Sequence, residues 1–186
     1  MEFGIFDQLP CSSEQVSEMR YHELISQCKL ADDLNFDSVW LAEYHFNPQF
    51  SIMPSPLLVG SAVAQCTTKI KIGTAVNLLP LHHPVRLAEE VATLDVISGG
   101  RALFGVGRGS NPEHYSGLGI NMDEARSRFL EGLNVVKEAW TSEFLIHKGL
   151  HYEIDNVRVV PKPVQKPHPP IYIAANSPDT FPIVGE

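Results

Sequence analysis

The stretch Ser38-Val39-Trp40-Leu41-Ala42-Glu43-Tyr44-His45-Phe46 changes character at its middle. Residues 38–42 are apolar or small and bounded by polar groups, which predicts a buried strand. A carboxylate, a phenol and an imidazole follow at once. A strand that exits onto three reactive side chains raises the question of what lies at the other strand exits, and the chain supplies more of them.

Working outward, Phe3-Gly4-Ile5-Phe6 reads as a first strand. Cys11-Ser-Ser-Glu-Gln15 resembles a helix start, with Ser12 and Gln15 at capping-box spacing. Tyr21, Leu24, Ile25, Cys28 and Ala31 fall on one helical stripe, and that helix ends near Asn35. A Pro- and Ser-rich loop follows the strand at 38–42, and PLLVGSAVAQC, residues 56–66, reads as the second helix. KIKIGTAVNLLP supplies a third strand ending near Val76. Pro84 sits at a favoured first helical position. Its helix carries Leu87, Val91, Leu94 and Val96 and stops at SGG, where Gly99 or Gly100 provides a C-terminal cap. RALFGVG is the fourth strand, and a helix with Phe129, Leu133, Val136 and Trp140 spans roughly 123–140. Residues 145–170 predict a small strand excursion and a Pro-rich connector. IYIAA, residues 171–175, is the fifth strand, and NSPDT starts another helix.

The first four strands recur about every thirty residues with a helix between each pair, a βαβ series that implies a parallel sheet. Two architectures satisfy it: a doubly wound sheet and a (β/α)8 barrel. A barrel needs roughly 250 residues, so five strands are a little over half of one.

The composition narrows the function. The chain has 186 residues, 44% of them hydrophobic, and a net charge of −8. No Lys/Arg cluster or aromatic-basic interleaving occurs, which argues against nucleic acid as a partner. Cys11, Cys28 and Cys66 are odd in number, widely spaced and outside any CxxC, so they read as free thiols in a reducing compartment. MEFGIFDQLP lacks the basic region and apolar core of a secretory signal. No apolar run approaches the ~18 residues of a membrane span. These features predict a soluble, cytoplasmic protein.

The strand exits are uniformly polar. Asp7 and Gln8 follow strand one; Glu43, Tyr44 and His45 follow strand two; Asn77 follows strand three. Arg108, Ser110 and Asn111 follow strand four, and Asn176 and Ser177 follow strand five. In a barrel all of these lie on the face that carries the active site. GVGRGS is no dinucleotide fingerprint, because Ser110 stands where the last glycine belongs and the next helix starts late. It suits close backbone approach to a planar ligand, with Arg108 offering a fork for phosphate. NSPDT places Ser177 at an N-cap and Pro178 at the first helical position, where free N–H groups receive anions, although Asp179 opposes one. The eight histidines form neither HExxH nor a zinc spacing, so no metal site is expected. No Ser–His–acid order and no acid pair can be placed, which sets hydrolysis last.

Taken in order, FGIF, NFDSVWLAEYHF, KIKIGTAVNLLPLHHPVRLAEEVATLD, SGGRALFGVGRG and PPIYIAANSPDT resemble the bacterial luciferase-like, flavin-dependent monooxygenases across nearly the whole chain. The resemblance implies a TIM (β/α)8 barrel of which residues 1–186 are a single N-terminal portion, with about the first five β/α units. It implies reduced FMN as cofactor, or a reduced deazaflavin in a sister branch. Carried over by position, Arg108, Asn176, Ser177 and Thr180 hold the flavin phosphate. Ala75 and Val76 lie against the isoalloxazine ring at a non-proline cis peptide, and Asn77 adjoins them. The reacting centre is expected at Glu43, Tyr44 and His45. Here the chain departs from the family, which often reads Glu-His-His-Phe: Tyr44 replaces the first histidine, the one tied to catalysis in the luciferases. With an ordinary value near 10, a phenol is a poor base at neutral pH. The resemblance thus implies a monooxygenase acting on a small organic substrate, a flavin reductase as partner and a possible homodimer. A deazaflavin-dependent hydride transferase and a non-catalytic flavin-binding subunit are the alternatives.

Overall fold

The computed structural model describes residues 1–175; the NSPDT turn, with Asn176, Ser177 and Thr180, lies outside the described residues. The main strands are β1 (Gly4–Asp7), β2 (Ser38–Leu41), β3 (Lys71–Thr74), β5 (Ala102–Gly107) and β8 (Ile171–Ile173). Helices α1 (Ser17–Asp33), α2 (Pro56–Cys66) and α3 (Pro84–Ser98) connect the first four. Strand β4 (Asn77–Leu78) is a two-residue step, and α4 (Pro112–Gly117) and α5 (Ala125–Thr141) follow β5. Strands β6 (Leu145–Lys148) and β7 (Glu153–Val157) form a separate antiparallel hairpin.

The sheet decides between the two architectures. Strands β1, β2, β3, β5 and β8 pair in parallel and in chain order, Ile5 opposite Val39, Val39 opposite Ile72 and Ile72 opposite Ala102. A doubly wound sheet reverses its order at a switch point; this one never does. The helices also cover one face only. Val39, Leu41, Ile72, Phe104 and Val106 join Leu24, Cys28, Val63, Leu87, Val91 and Val136 in one buried cluster. The opposite face presents Phe6 and Trp40, with the Trp40 and Tyr172 rings meeting edge-on at 5.0 Å. Sequential parallel strands with helices on one side are the β/α units of a TIM barrel.

Small residues admit the indole. A Cβ on Gly73 would sit 2.4 Å from the Trp40 ring, so β3 passes Trp40 only as glycine. At the end of α3, Gly99 takes φ +69° and closes the helix with N–H bonds from Gly99 and Gly100 to Val96 and Asp95.

Four expectations need adjustment. The capping-box pair forms, with the Ser12 N–H donating to Gln15 Oε1 at 3.0 Å, but it closes an isolated turn and α1 begins at Ser17. The third strand breaks at the cis Ala75–Val76 peptide and resumes as β4. In α3 the buried position belongs to Asp95, whose carboxylate receives the Gln165 backbone N–H and side-chain amide, while Val96 is exposed. The short α4 is additional: six residues are too few to show a periodicity.

Candidate active site

Parallel pairing brings the C-terminal ends of β2, β3 and β5 to one edge. Just beyond β2, Glu43 turns inward and its side chain is wholly buried. A lone buried carboxylate is costly, so it must gather donors. Oε1 accepts from His45 Nε2 at 2.9 Å and His82 Nε2 at 2.8 Å. Oε2 accepts from Asn77 Nδ2 and from the Leu78 N–H, each at 3.0 Å. Burial alone raises the Glu43 pKa, but the bonds from His45 and His82, the charge on His82 and the Asn77 amide outweigh it and hold it at about 2. For His82, burial opposes the charge, and the bond and charge of Glu43 overcome that and raise its pKa. Glu43 is therefore an ionised anchor that fixes two imidazoles.

The step after β3 makes this possible. The cis Ala75–Val76 peptide turns the chain so that Asn77 pairs with Val106 of β5 and Leu78 with Gly107. Asn77 and Leu78 then face Glu43 from the β5 side. Ala75 and Val76 themselves stay half-buried, flanked by buried Thr74 and Asn77. They leave apolar surface open at the strand exit. Asn77 is 1% exposed, with its amide committed to Glu43, so it supports the site from behind. Its Oδ1 is buried without a partner among the described residues.

Arg108 is exposed at the end of β5 and enters no ion pair among the described residues. Its carbonyl accepts the hydroxyl of buried Tyr115, which fixes the backbone there; burial pushes the Tyr115 phenol up to about 12. Tyr44 is half-buried, its ring 4.4 Å from Phe50 and 4.4 Å edge-on from His114. The Asn111 amide reaches the Tyr44 hydroxyl at 3.1 Å. His114 is 3% exposed, and its Nε2 accepts the His45 backbone N–H at 3.4 Å. Burial and the neighbouring His45 lower its pKa, keeping it neutral at neutral pH.

The expected residues Glu43, Tyr44, His45, Ala75, Val76, Asn77 and Arg108 thus gather at one sheet edge, with Glu43 and Asn77 behind it. Sequence reasoning missed His82 and His114 as parts of the site. Asn111 followed by Pro112, an N-cap before a first-turn proline, was the signal for α4 and hence for His114. No group of three or more His, Cys, Asp or Glu among the described residues is arranged to hold a metal. No helix among them is long and apolar enough to cross a membrane.

The sequential parallel strands with polar exits at one edge are β/α-barrel units, and the chain belongs to the luciferase-like monooxygenase family, whose model matches residues 1–186. It is 32% identical to the oxygenase component of a flavin-dependent trigonelline monooxygenase from Acinetobacter baylyi, over 97% of this chain and 50% of that one. It is 32% identical to an F420-dependent glucose-6-phosphate dehydrogenase from Amycolatopsis mediterranei, over 84% of this chain and 48% of that one. The crystal structure of monooxygenase RslO1 from Streptomyces bottropensis superposes with a TM-score of 0.90 at 32% identity, covering 95% of this chain and 54% of RslO1. The chain spans about half the length of the curated relatives it matches.

Proposed function

We propose that the chain carries the flavin-holding portion of a flavin-dependent monooxygenase that uses reduced FMN and dioxygen on a small organic substrate. The observation that carries this reading is the half-buried Ala75–Val76 pair at the β3 exit beside an exposed Arg108 that enters no ion pair among the described residues. An apolar step suits a flat ring, and a guanidinium fork suits a phosphate. Asn176, Ser177 and Thr180 complete the phosphate site in this reading. Bound reduced flavin supplies the activation of dioxygen, and the protein supplies position and water exclusion.

The chain's own groups have distinct tasks. Ala75 and Val76 bear the ring and Arg108 holds the phosphate. Glu43 acts through His45 and His82, fixing both imidazoles so that His45 presents a defined edge to the site. Tyr44 stands where the family's first histidine stands and offers a hydroxyl in place of an imidazole. A separate reductase delivers the reduced flavin, a division suggested by the phrase "oxygenase component" in the trigonelline relative's name. The F420-dependent relative supports a second reading, hydride transfer with a deazaflavin on the same step.

Titration with FMN, riboflavin and the deazaflavin, followed by flavin fluorescence, separates the readings. Arg108→Ala is expected to weaken FMN about tenfold to a hundredfold, the range of a lost charge-assisted bond, and to leave riboflavin unchanged. Equal loss for both ligands, or none for FMN, removes Arg108 from the phosphate. Saturation by the deazaflavin alone transfers the assignment to the second reading.

A further inference from the structure

The link between Asn111 and Tyr44 has a forced direction. Asn111 caps α4, and its Oδ1 receives the Glu113 backbone N–H at 3.0 Å. A backbone N–H only donates, so the end of the amide facing it is the oxygen. The other end, 3.1 Å from the Tyr44 hydroxyl, is therefore NH2, and NH2 only donates. The Tyr44 oxygen must accept, and its own proton is left without an acceptor in the hydrogen bonds of the described residues.

The position of the link adds meaning. Asn111 follows β5 and Tyr44 follows β2, and β3 lies between those strands. The bond connects the two loops that flank the exit of β3, which is the Ala75–Val76 step. The ring contacts with Phe50 and His114 pack the phenol in place beside that exit.

We propose that Asn111 is a positioning residue that makes Tyr44 an obligate hydrogen-bond donor to an acceptor oxygen or nitrogen of the molecule held at the β3 exit. This rests on the flavin reading above. It assigns to position 44 a donor that is never a base, unlike the histidine the family often has there. Ligands that accept a hydrogen bond at that point are favoured over those that offer only donors.

Asn111→Asp is the decisive substitution. The aspartate retains the cap, because one carboxylate oxygen still receives the Glu113 N–H. Its other oxygen accepts, so the Tyr44 hydroxyl turns to donate to residue 111 and is withdrawn from the ligand. Three measurements are compared in the parent, Asn111→Asp, Tyr44→Phe and the double variant. They are thermal unfolding, FMN titration, and the rate at which bound reduced FMN reoxidises in air. Asn111→Asp is expected to unfold like the parent and to bind FMN, yet to change the reoxidation rate by about tenfold, the value of one hydrogen bond. Tyr44→Phe should match it, and the double variant should be no worse than either single one. A parent-like rate in Asn111→Asp, or additive effects in the double variant, overturns the proposal.

A readout independent of flavin accompanies these. In protein labelled with 13C at the tyrosine ζ carbon, the Tyr44 signal should move in Asn111→Asp while the other four tyrosines stay in place. An unmoved signal overturns the polarity assignment even if FMN binds. A parent protein that binds no FMN overturns the flavin reading, and with it the partner named for the Tyr44 proton, while the carbon signal still decides the polarity.

Discussion

Glu43→Gln removes one charge from the centre of the site and leaves its shape intact. The carboxylate receives four hydrogen bonds, from His45, His82, Asn77 and Leu78. Glutamine keeps one acceptor oxygen. With that oxygen toward the imidazoles, its NH2 faces the Asn77 amide and the Leu78 N–H, donor against donor. Rotation of the Asn77 amide relieves the first clash, because Asn77 Oδ1 is free of a partner among the described residues. The Leu78 N–H remains unpaired, which costs about 1–3 kcal/mol. The bonds from the imidazoles lose their charge assistance, about 1 kcal/mol more. The sum is about 2–4 kcal/mol, a drop in melting midpoint of roughly 4–16 °C for a chain of this size.

Thermal and urea unfolding followed by circular dichroism measures this loss at pH 7, and an NMR titration of His82 accompanies it. The pH dependence has a definite sign. The Glu43 carboxyl lies at about 2 in the fold against 4.5 ordinarily, so its stabilisation is present above 4.5 and disappears as the pH falls through about 2. The Glu43 part of the gap between parent and variant should therefore be present at pH 7 and narrow as the pH falls across that window. The His82 pKa is raised in the fold, so its contribution is complete below its ordinary 6.5 and lost as the pH rises through the folded value. In Glu43→Gln the His82 titration should move down. A variant within about 0.5 kcal/mol of the parent, the scatter of ordinary surface changes, or an unmoved His82 titration refutes the account.

Two further substitutions test the frame around the site. Gly105→Ala places a Cβ 1.6 Å from the Thr74 carbonyl oxygen, so β3 and β5 must separate. The expected loss is about 4 kcal/mol or more, seen as a collapse in soluble yield and urea midpoint. Asp32→Asn withdraws one of two oxygens that receive the backbone N–H groups of Thr68, Lys69 and Ile70. It should cost about 1–3 kcal/mol in urea unfolding at pH 7. Burial raises the Asp32 pKa but those N–H bonds outweigh it and lower it, so the difference should shrink as the pH falls below the ordinary 3.8.

The order of strands and helices was legible because each long helix carries a stripe and each strand a short apolar run. PLLVGSAVAQC is helical over its whole length, and Pro84 and Gly99 bound α3 as their chemistry requires. Periodicity alone left open which architecture held the strands; the unreversed order and the one-sided helices settle that, and both are long-range properties. The site was legible in part. Strand exits mark where polar groups collect, but not which of them turn inward. That Glu43 grips His82, 39 positions away, depends on how the chain bends after Val76. The polarity of the Asn111 amide depends on a six-residue helix too short to leave a periodic trace.

Glu131, on α5, has a consequence for how the molecule breathes. Its carboxylate accepts the backbone N–H groups of Leu150, His151 and Tyr152 and the His147 ring at the tip of the β6–β7 hairpin. Leu150 points to solvent with 81% exposure, yet its amide is tied to the helix. Three consecutive amides of the hairpin turn therefore share a single latch. In native-state hydrogen exchange they should open as one unit, at a rate set by one carboxylate rather than by the melting of the barrel beneath them.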